Sequence, residues 1–139
     1  MDVFSKEKRS EVMSKVKGRD TKLEIKVRQR LFKDGFRFRK NDKRYPGKPD
    51  ILLPKYRTAI QIHGCFWHGH KGCKFFVIPK TRTDFWLNKI KSNQLNDKKN
   101  KIRLKRMGFS VLSLWECRLE NDFEKQIALV TKHLARQEN

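Results

Sequence analysis

Four side chains of the kind that bind zinc are spaced so that they would tie one loop to a distant part of the chain: Cys65, His70, Cys73 and Cys117. The first three lie within one short glycine-rich segment, so a single loop can wrap them around a tetrahedral ion. Three cysteines and one histidine leave no open coordination position, and a zinc ion bound there is therefore expected to be structural. Any fold that contains this site must bring residue 117 next to the loop.

Two alternatives to this ligand set are open. His68 can replace His70, because both histidines lie between Cys65 and Cys73. Without a metal, the cysteines would be small buried hydrophobic residues and the histidines would be solvated. The chain has three cysteines, an odd number, and no signal-peptide pattern, which does not favour a disulfide framework.

The charge of the chain indicates a polyanionic partner. Lysine and arginine number 35 against 15 acidic residues, a net charge of +20 over 139 residues. This excess favours DNA or RNA, with compositional bias as the alternative. We find no long apolar run and no lipidation motif, so we expect no membrane partner and a location in the bacterial cytoplasm, with the nucleoid. The length fits one domain over residues 1–139, with residues 1–20 as a basic arm.

Hydrophobic periodicity predicts an α/β domain, a mixed β-sheet flanked by helices. Thr21 and Glu24 form a capping box at the start of a helix that ends near Gly35. The elements expected after it are a half-buried strand at 36–38, a hairpin of strands 50–53 and 58–64, a helix from Thr83 to Arg106, a strand at 109–116, and a helix that begins at Asn121 or Asp122.

Polar side chains on the predicted hairpin suggest a second metal site. Asp50 follows Pro49 at the start of the first strand, and on the second strand Gln61 and His63 alternate with isoleucines and share one face. These side chains could meet around one Mg²⁺. The arrangement resembles the nuclease pattern PD-(D/E)-x-K, with Gln61 in place of the second acid and His63 in place of the lysine. The alternative for Asp50 is a strand-start cap or a surface salt bridge.

Longer stretches of the chain resemble the very short patch repair endonuclease (Vsr) family. They are RSEVMSKVKGRDTKLE, PGKPDILLPKYRTAIQIHGCFWHGHKGC, TRTDFW and GFSVLSLWEC, and of these HGCFWH and TRTDFW are the most specific. The resemblance implies a restriction-endonuclease-like fold. It also implies a monomeric, Mg²⁺-dependent enzyme that nicks DNA 5′ of the thymine in T:G mismatches left by deamination of 5-methylcytosine. Mismatch-repair proteins and a repair DNA polymerase would be its partners.

The resemblance also assigns catalytic roles. It implies that Asp50 is the principal Mg²⁺ ligand, joined by the backbone carbonyl of Ile62, where a family member has threonine. His68 would be the general base, and His63 would assist at the phosphate with Asp97 orienting or charging it. A histidine suits this work because it can accept a proton near neutral pH. A further residue, Glu24, would reach the metal through water.

Residues that contact DNA follow from the same resemblance. The family's aromatic wedge would correspond here to Phe66, Trp67 and Trp86, inserted beside the mismatch, where a wobble pair stacks less well. Asn93 would contact a phosphate, and residues of the arm would approach the minor groove, namely Met13 and Val16. For Trp86 the alternative is a core position on its helix.

Two other functions remain alternatives. A different nuclease on the same fold would usually cut both strands and would not need the aromatic wedge. A zinc-stabilised DNA-binding module without catalysis is favoured if Gln61 and His63 mark a decayed active site.

Overall fold

A computed structural model describes residues 21–66, 68–70, 73 and 78–137. The predicted arm, with Met13 and Val16, and the predicted wedge residue Trp67 lie outside the described residues. The described elements follow in the order α1 (Lys22–Lys33), β1 (Ile51–Leu53), a 3₁₀ turn (Pro54–Tyr56), β2 (Thr58–His63), α2 (Thr83–Arg106), β3 (Ser110–Trp115), α3 (Glu116–Asn121) and α4 (Phe123–Gln137). None of the helices described is long and apolar enough to cross a membrane.

The three strands form one mixed sheet in the order β1-β2-β3, as the α/β prediction requires. β1 pairs with β2 in the antiparallel sense, with Ile51 opposite Ile60, which confirms the predicted hairpin. β2 and β3 run parallel, with His63 opposite Trp115. The long helix α2 lies in the connection between these two parallel strands, since parallel strands need a long crossover, which is usually helical.

Helices cover both faces of the sheet. On one face, α1 and α4 pack against residues of β1 and β2 in the main hydrophobic cluster, which includes Val27, Leu31, Ile51, Ile60 and Val130. On the other face, Leu104 of α2 packs on Leu52 and Ala59. Because side chains alternate along a strand, Gln61 and His63 share the face opposite to Ile60 and Ile62, as predicted, and this is the α2 side of the sheet. That side of the sheet carries the candidate site.

Local structure differs from the expectations at three points. Residues 36–38 form no strand, because the N–H of Phe36 bonds to the carbonyl of Leu31 and closes α1, leaving one isolated bridge between Arg39 and Leu52. The strand predicted at 109–116 is confirmed over Ser110–Trp115, but a short helix that was not predicted, α3, begins at Glu116.

The third difference from the expectations concerns the start of α2. The N-cap is Arg82, in the left-handed conformation, and Thr83 is the first helical residue. The Thr83 hydroxyl donates to the carbonyls of Pro79 and Lys80 instead of accepting from the helix. Thr21, in contrast, caps α1 as predicted and accepts from the N–H of Glu24 at 3.2 Å.

Candidate active site and metal centre

A cleft of about 1170 Å³ lies between the end of β2, α2 and the start of α1. Its walls carry every residue that the family resemblance assigned to catalysis, namely Glu24, Asp50, His63, His68 and Asp97. These residues come from two helices, the position just before β1, the end of β2 and the loop that follows β2. The fold therefore brings together groups that lie far apart in the sequence.

The Asp50 carboxylate lies at the open end of the β1–β2 pair. Its Oδ2 atom accepts a hydrogen bond from the backbone N–H of Ile62 at 2.6 Å, which extends the contact between the two strands beyond their last backbone pair. Burial raises the pKa of Asp50 to about 7; the Ile62 hydrogen bond opposes this shift and the charge of Glu24 adds to it. Glu24 is itself buried.

Two neighbouring carboxylates in a buried position are stabilised as anions by a cation. Oxygen ligands are those that Mg²⁺ prefers, so Asp50, with Glu24 nearby and Ile62 on the same cleft wall, fits a magnesium site. Bound there, the ion would neutralise charge on a phosphate group.

Two histidines and an aspartate form a second group in the cleft. Nδ1 of His68 is hydrogen-bonded to Oδ2 of Asp97, and the ring of His63 lies 4.2 Å from the ring of His68. The hydrogen-bond partner of Asp97 is thus His68, and Asp97 also lies near His63, the ring that it was expected to orient or charge. With Nδ1 held by a carboxylate, His68 keeps Nε2 to accept a proton from water.

His63 is the more buried of the two histidines. Burial lowers its pKa to about 4, and the nearby charge of His68 lowers it as well, so His63 is neutral near pH 7. Its Nε2 atom lies 3.2 Å from the hydroxyl of Ser113 on β3. This contact holds the ring against the sheet.

The four predicted zinc ligands meet in one cluster. One ligand atom from each of Cys65, His70, Cys73 and Cys117 lies within 4.8 Å of all the others. Nδ1 of His70 lies 3.6 Å from the sulfur of Cys65 and 3.4 Å from that of Cys117. Zn–S and Zn–N bonds of about 2.3 and 2.0–2.1 Å give tetrahedral S···N edges of about 3.6 Å, which these distances match.

The chemistry of the cluster also fits zinc. The backbone N–H of Cys117 donates to the sulfur of Cys65 at 3.3 Å, a contact that supports a thiolate ligand. Burial raises the pKa of both thiols, and a bound cation would reverse that shift. His68 belongs to the other group, so the geometry favours His70 as the zinc ligand.

Comparisons with known proteins place the chain in a family. A family model described as DNA mismatch endonuclease Vsr matches residues 1–74. The type II nicking enzyme V.NmeAIP of Neisseria meningitidis serogroup A is 55% identical over 120 residues, which cover 86% of this chain and 85% of that protein. The DNA mismatch endonuclease Vsr of Escherichia coli is 43% identical over 118 residues, which cover 85% and 75%. The chain belongs to the Vsr family of DNA mismatch endonucleases.

Membership of the Vsr family makes the chain a DNA endonuclease, as the resemblance predicted. A third relative, the type II nicking enzyme V.XorIIP of Xanthomonas oryzae, is 40% identical over 120 residues, covering 86% of this chain and 88% of that protein. The alternative of a DNA-binding module without catalysis is therefore not supported.

One charged residue of this Vsr site was not found from the sequence. Arg28 is buried on α1, and its guanidinium donates to the backbone carbonyl of Asp50 and to the carboxylate of Glu24, at 3.2 and 3.4 Å from Nη2. The sequence could have indicated this contact, because an arginine four residues after Glu24 lies on the same face of α1 as Val27 and Leu31.

Two of the three predicted wedge aromatics of this Vsr-family chain, Phe66 and Trp86, lie in a buried cluster. Phe66 and Trp86 are 7% and 9% exposed, and their rings meet edge to face at 5.6 Å beside Ile90. Their insertion into DNA stays a prediction and would require the loop to move away from α2. Asn93 lies on the cleft wall, where a DNA strand could reach it.

Proposed function

We propose that this Vsr-family endonuclease nicks the thymine-containing strand of T:G mismatches on the 5′ side of the thymine and so begins very short patch repair. The observation that carries the proposal is the single cleft that holds the Asp50 carboxylate together with the His68–Asp97 pair. One group can hold a cation against a phosphate, and the other can take a proton from water.

In the proposed reaction the chain's own residues contact the phosphate, orient the general base and accept one proton from water. Mg²⁺, held by Asp50, by the carbonyl of Ile62 and through water by Glu24, would supply the charge that stabilises the phosphoryl oxygens. His68 accepts the proton of the attacking water at Nε2, while Asp97 holds the other side of its ring. His63, neutral and fixed against Ser113, contacts the phosphate. As the water oxygen bonds to phosphorus, the P–O3′ bond breaks and the leaving 3′-oxygen takes a proton from solvent water, so the products are a 3′-hydroxyl and a 5′-phosphate.

The zinc ion is proposed to be structural. Its four ligands join the loop after β2 to the start of α3, and that loop also carries His68. A closed ligand set leaves no position for water or substrate. The ion would therefore set the position of the general base without taking part in hydrolysis.

The remaining features of the proposal rest on the family resemblance. We infer a monomer with one restriction-endonuclease-like domain over residues 1–139, working on nucleoid DNA in the bacterial cytoplasm. The arm at residues 1–20, with Met13 and Val16, would approach the minor groove, and Asn93 would contact a phosphate. The aromatic wedge would be formed by Phe66, Trp67 and Trp86. Mismatch-repair proteins and a repair polymerase would act with it.

A strand-resolved cleavage assay tests the proposal. Zinc-loaded protein is incubated with duplexes that carry one T:G pair in varied sequence contexts, labelled on either strand, with matched T:A and C:G duplexes as controls. We expect Mg²⁺-dependent nicking of the thymine strand alone, which Asp50→Ala abolishes. Cleavage of both strands of matched duplexes would replace the proposal with a restriction-type activity.

A further inference from the structure

One tryptophan lies between the candidate zinc centre and the proposed catalytic histidines. Trp115 is the last residue of β3, and His63 is its partner at the end of the parallel strand β2. Residues paired in this way direct their side chains to the same face of the sheet. The two rings accordingly lie 4.9 Å apart.

The same indole is stacked on a candidate zinc ligand. The ring of His70 lies 4.2 Å from that of Trp115 with an angle of 12° between the planes. Its Nδ1 atom is the one that faces the sulfurs of Cys65 and Cys117. His70 is therefore held by the ligand cluster through one ring atom and by Trp115 over its ring face.

His68 also contacts the indole, edge to face at 6.4 Å. His63, at the end of β2, and both His68 and His70 of the loop thus contact the same side chain; the first two are the proposed catalytic pair and the third is the candidate zinc ligand. The next two residues reinforce this junction. Glu116 accepts a hydrogen bond from the N–H of Cys65 at 3.1 Å, and Cys117 is itself a candidate zinc ligand.

We propose that Trp115 is a positioning residue that aligns the His63–His68 pair against zinc-bound His70. The inference rests on the proposed roles of those two histidines. A stacked indole restricts the rotation of a neighbouring imidazole, and a displacement of about 1 Å in a catalytic group can cost roughly 100-fold in rate. Without the indole, the zinc ligands keep their sulfur and nitrogen atoms. The catalytic pair keeps its hydrogen bonds to Ser113 and Asp97 but loses the ring contacts that join it to His70.

The test compares Trp115→Leu with Trp115→Phe, which keeps a flat ring. Phe109→Leu is the matched control, because it removes an aromatic side chain just before the other end of β3, where Phe109 packs on Tyr45 and Leu104. For Trp115→Leu we expect kcat for T:G duplexes to fall roughly 10- to 100-fold. KM and the zinc content should stay unchanged. Trp115→Phe should restore most of kcat, and Phe109→Leu should leave it unchanged.

A second readout does not depend on activity. In the zinc-loaded protein the rings of His63 and His68 are close enough to give a nuclear Overhauser effect between their protons, since their centroids lie 4.2 Å apart. We expect this signal in the wild type and in Trp115→Phe, and its loss in Trp115→Leu. If the wild type nicks no substrate, the proposed function fails and this signal alone decides the inference.

Two outcomes would overturn the inference. One is a Trp115→Leu variant with wild-type kcat and an intact His63–His68 signal. The other is a variant that loses zinc and kcat together, because Trp115 would then maintain the zinc site and not the alignment of the histidines.

Discussion

Arg28 and Asp50 are joined by two hydrogen bonds, since Nε and Nη2 of the arginine both donate to the backbone carbonyl of the aspartate, at 3.3 and 3.2 Å. The same guanidinium pairs with the carboxylate of Glu24. Arg28 thus fixes the backbone that precedes β1 and brings a positive charge to the two carboxylates of the proposed magnesium site. A buried cation in this position has measurable consequences for stability.

Replacement of Arg28 by methionine should destabilise the fold by about 3–5 kcal/mol, because it removes the cation beside a buried carboxylate. Denaturant unfolding measures this change. Arg30→Met on the same helix is the control, since Arg30 makes its ion pairs at the surface, where such pairs contribute little, and its loss should cost much less than that of Arg28. The double variant Glu24→Gln/Arg28→Met should lose less stability than the sum of the single variants. Additive losses would contradict the coupling.

The pKa of Asp50 predicts how stability changes with pH in zinc-loaded protein without Mg²⁺. Its folded pKa is about 7 and its ordinary value 3.8, so between these values the folded state holds a proton that the unfolded state has released. Stability from this group is therefore present at low pH and is lost as pH rises towards about 7. The depressed pKa of His63, about 4 against 6.5, acts in the opposite sense between those values.

Comparison with Asp50→Asn isolates the contribution of Asp50, because His63 is present in both proteins. The variant should be more stable than the wild type at about pH 8, by on the order of 2–4 kcal/mol, and the difference should shrink as the pH falls towards about 4. Added Mg²⁺ should raise the Tm of the wild type alone. Equal Tm curves for the two proteins across this range would contradict the buried, metal-free carboxylate.

Asp97→Asn should lower kcat roughly 100-fold, because an amide does not hold the His68 imidazole as a carboxylate does or stabilise its charged form. Affinity for T:G duplexes should change little. Single-turnover nicking and a binding titration separate the two quantities. Asp42→Asn is the control, since Asp42 pairs with Arg44. A kcat for Asp97→Asn equal to that of the wild type would exclude Asp97 from the proposed proton transfer.

The roles of zinc and magnesium should be distinguishable when zinc is removed from the protein and then added back. Phenanthroline treatment of the protein should release zinc and abolish nicking even when Mg²⁺ is in excess, because the loop with His68 loses its attachment to α3. Added Zn²⁺ should restore activity. Cys117→Ser should show the same loss without recovery. Full activity in protein shown to contain no zinc would refute the structural role.

Gly69 is expected to tolerate no side chain. Its φ is +61°, and an added Cβ would collide with the amide of Gln94 and lie 2.8 Å from Cγ2 of Ile90 on α2. Gly69→Ala should therefore push the loop from α2 and reduce nicking. Gly35→Ala is a matched control, because Gly35 has φ +97° but no heavy atom within 4 Å of an added Cβ. It should cost some stability and leave kcat unchanged. If both variants reduced nicking equally, the loss would be due to backbone strain and not to the collision with α2.

Local patterns in the sequence were sufficient for the parts of the fold that depend on near neighbours. The cap at Thr21 and the alternation of Gln61 and His63 with isoleucines on β2 are confirmed, because capping and strand periodicity involve residues a few positions apart. The strand predicted at 36–38 is absent, because a hydrogen bond to another element decides the structure of this segment. Its alternation is real, but the N–H of Phe36 is bonded to Leu31 at the end of α1.

The partners of individual side chains required the tertiary structure. Asp97 lies near His63 as expected, but the sequence did not indicate that its hydrogen bond is to His68, and Arg28 was not assigned to the site at all. Trp115 looked like an ordinary strand residue until the parallel register placed it against His63 and His70. Residue types and their spacing in the sequence indicate which chemical groups the site can use. Which two of those groups touch depends on strand register and helix packing, and these are decided by contacts between residues far apart in the chain.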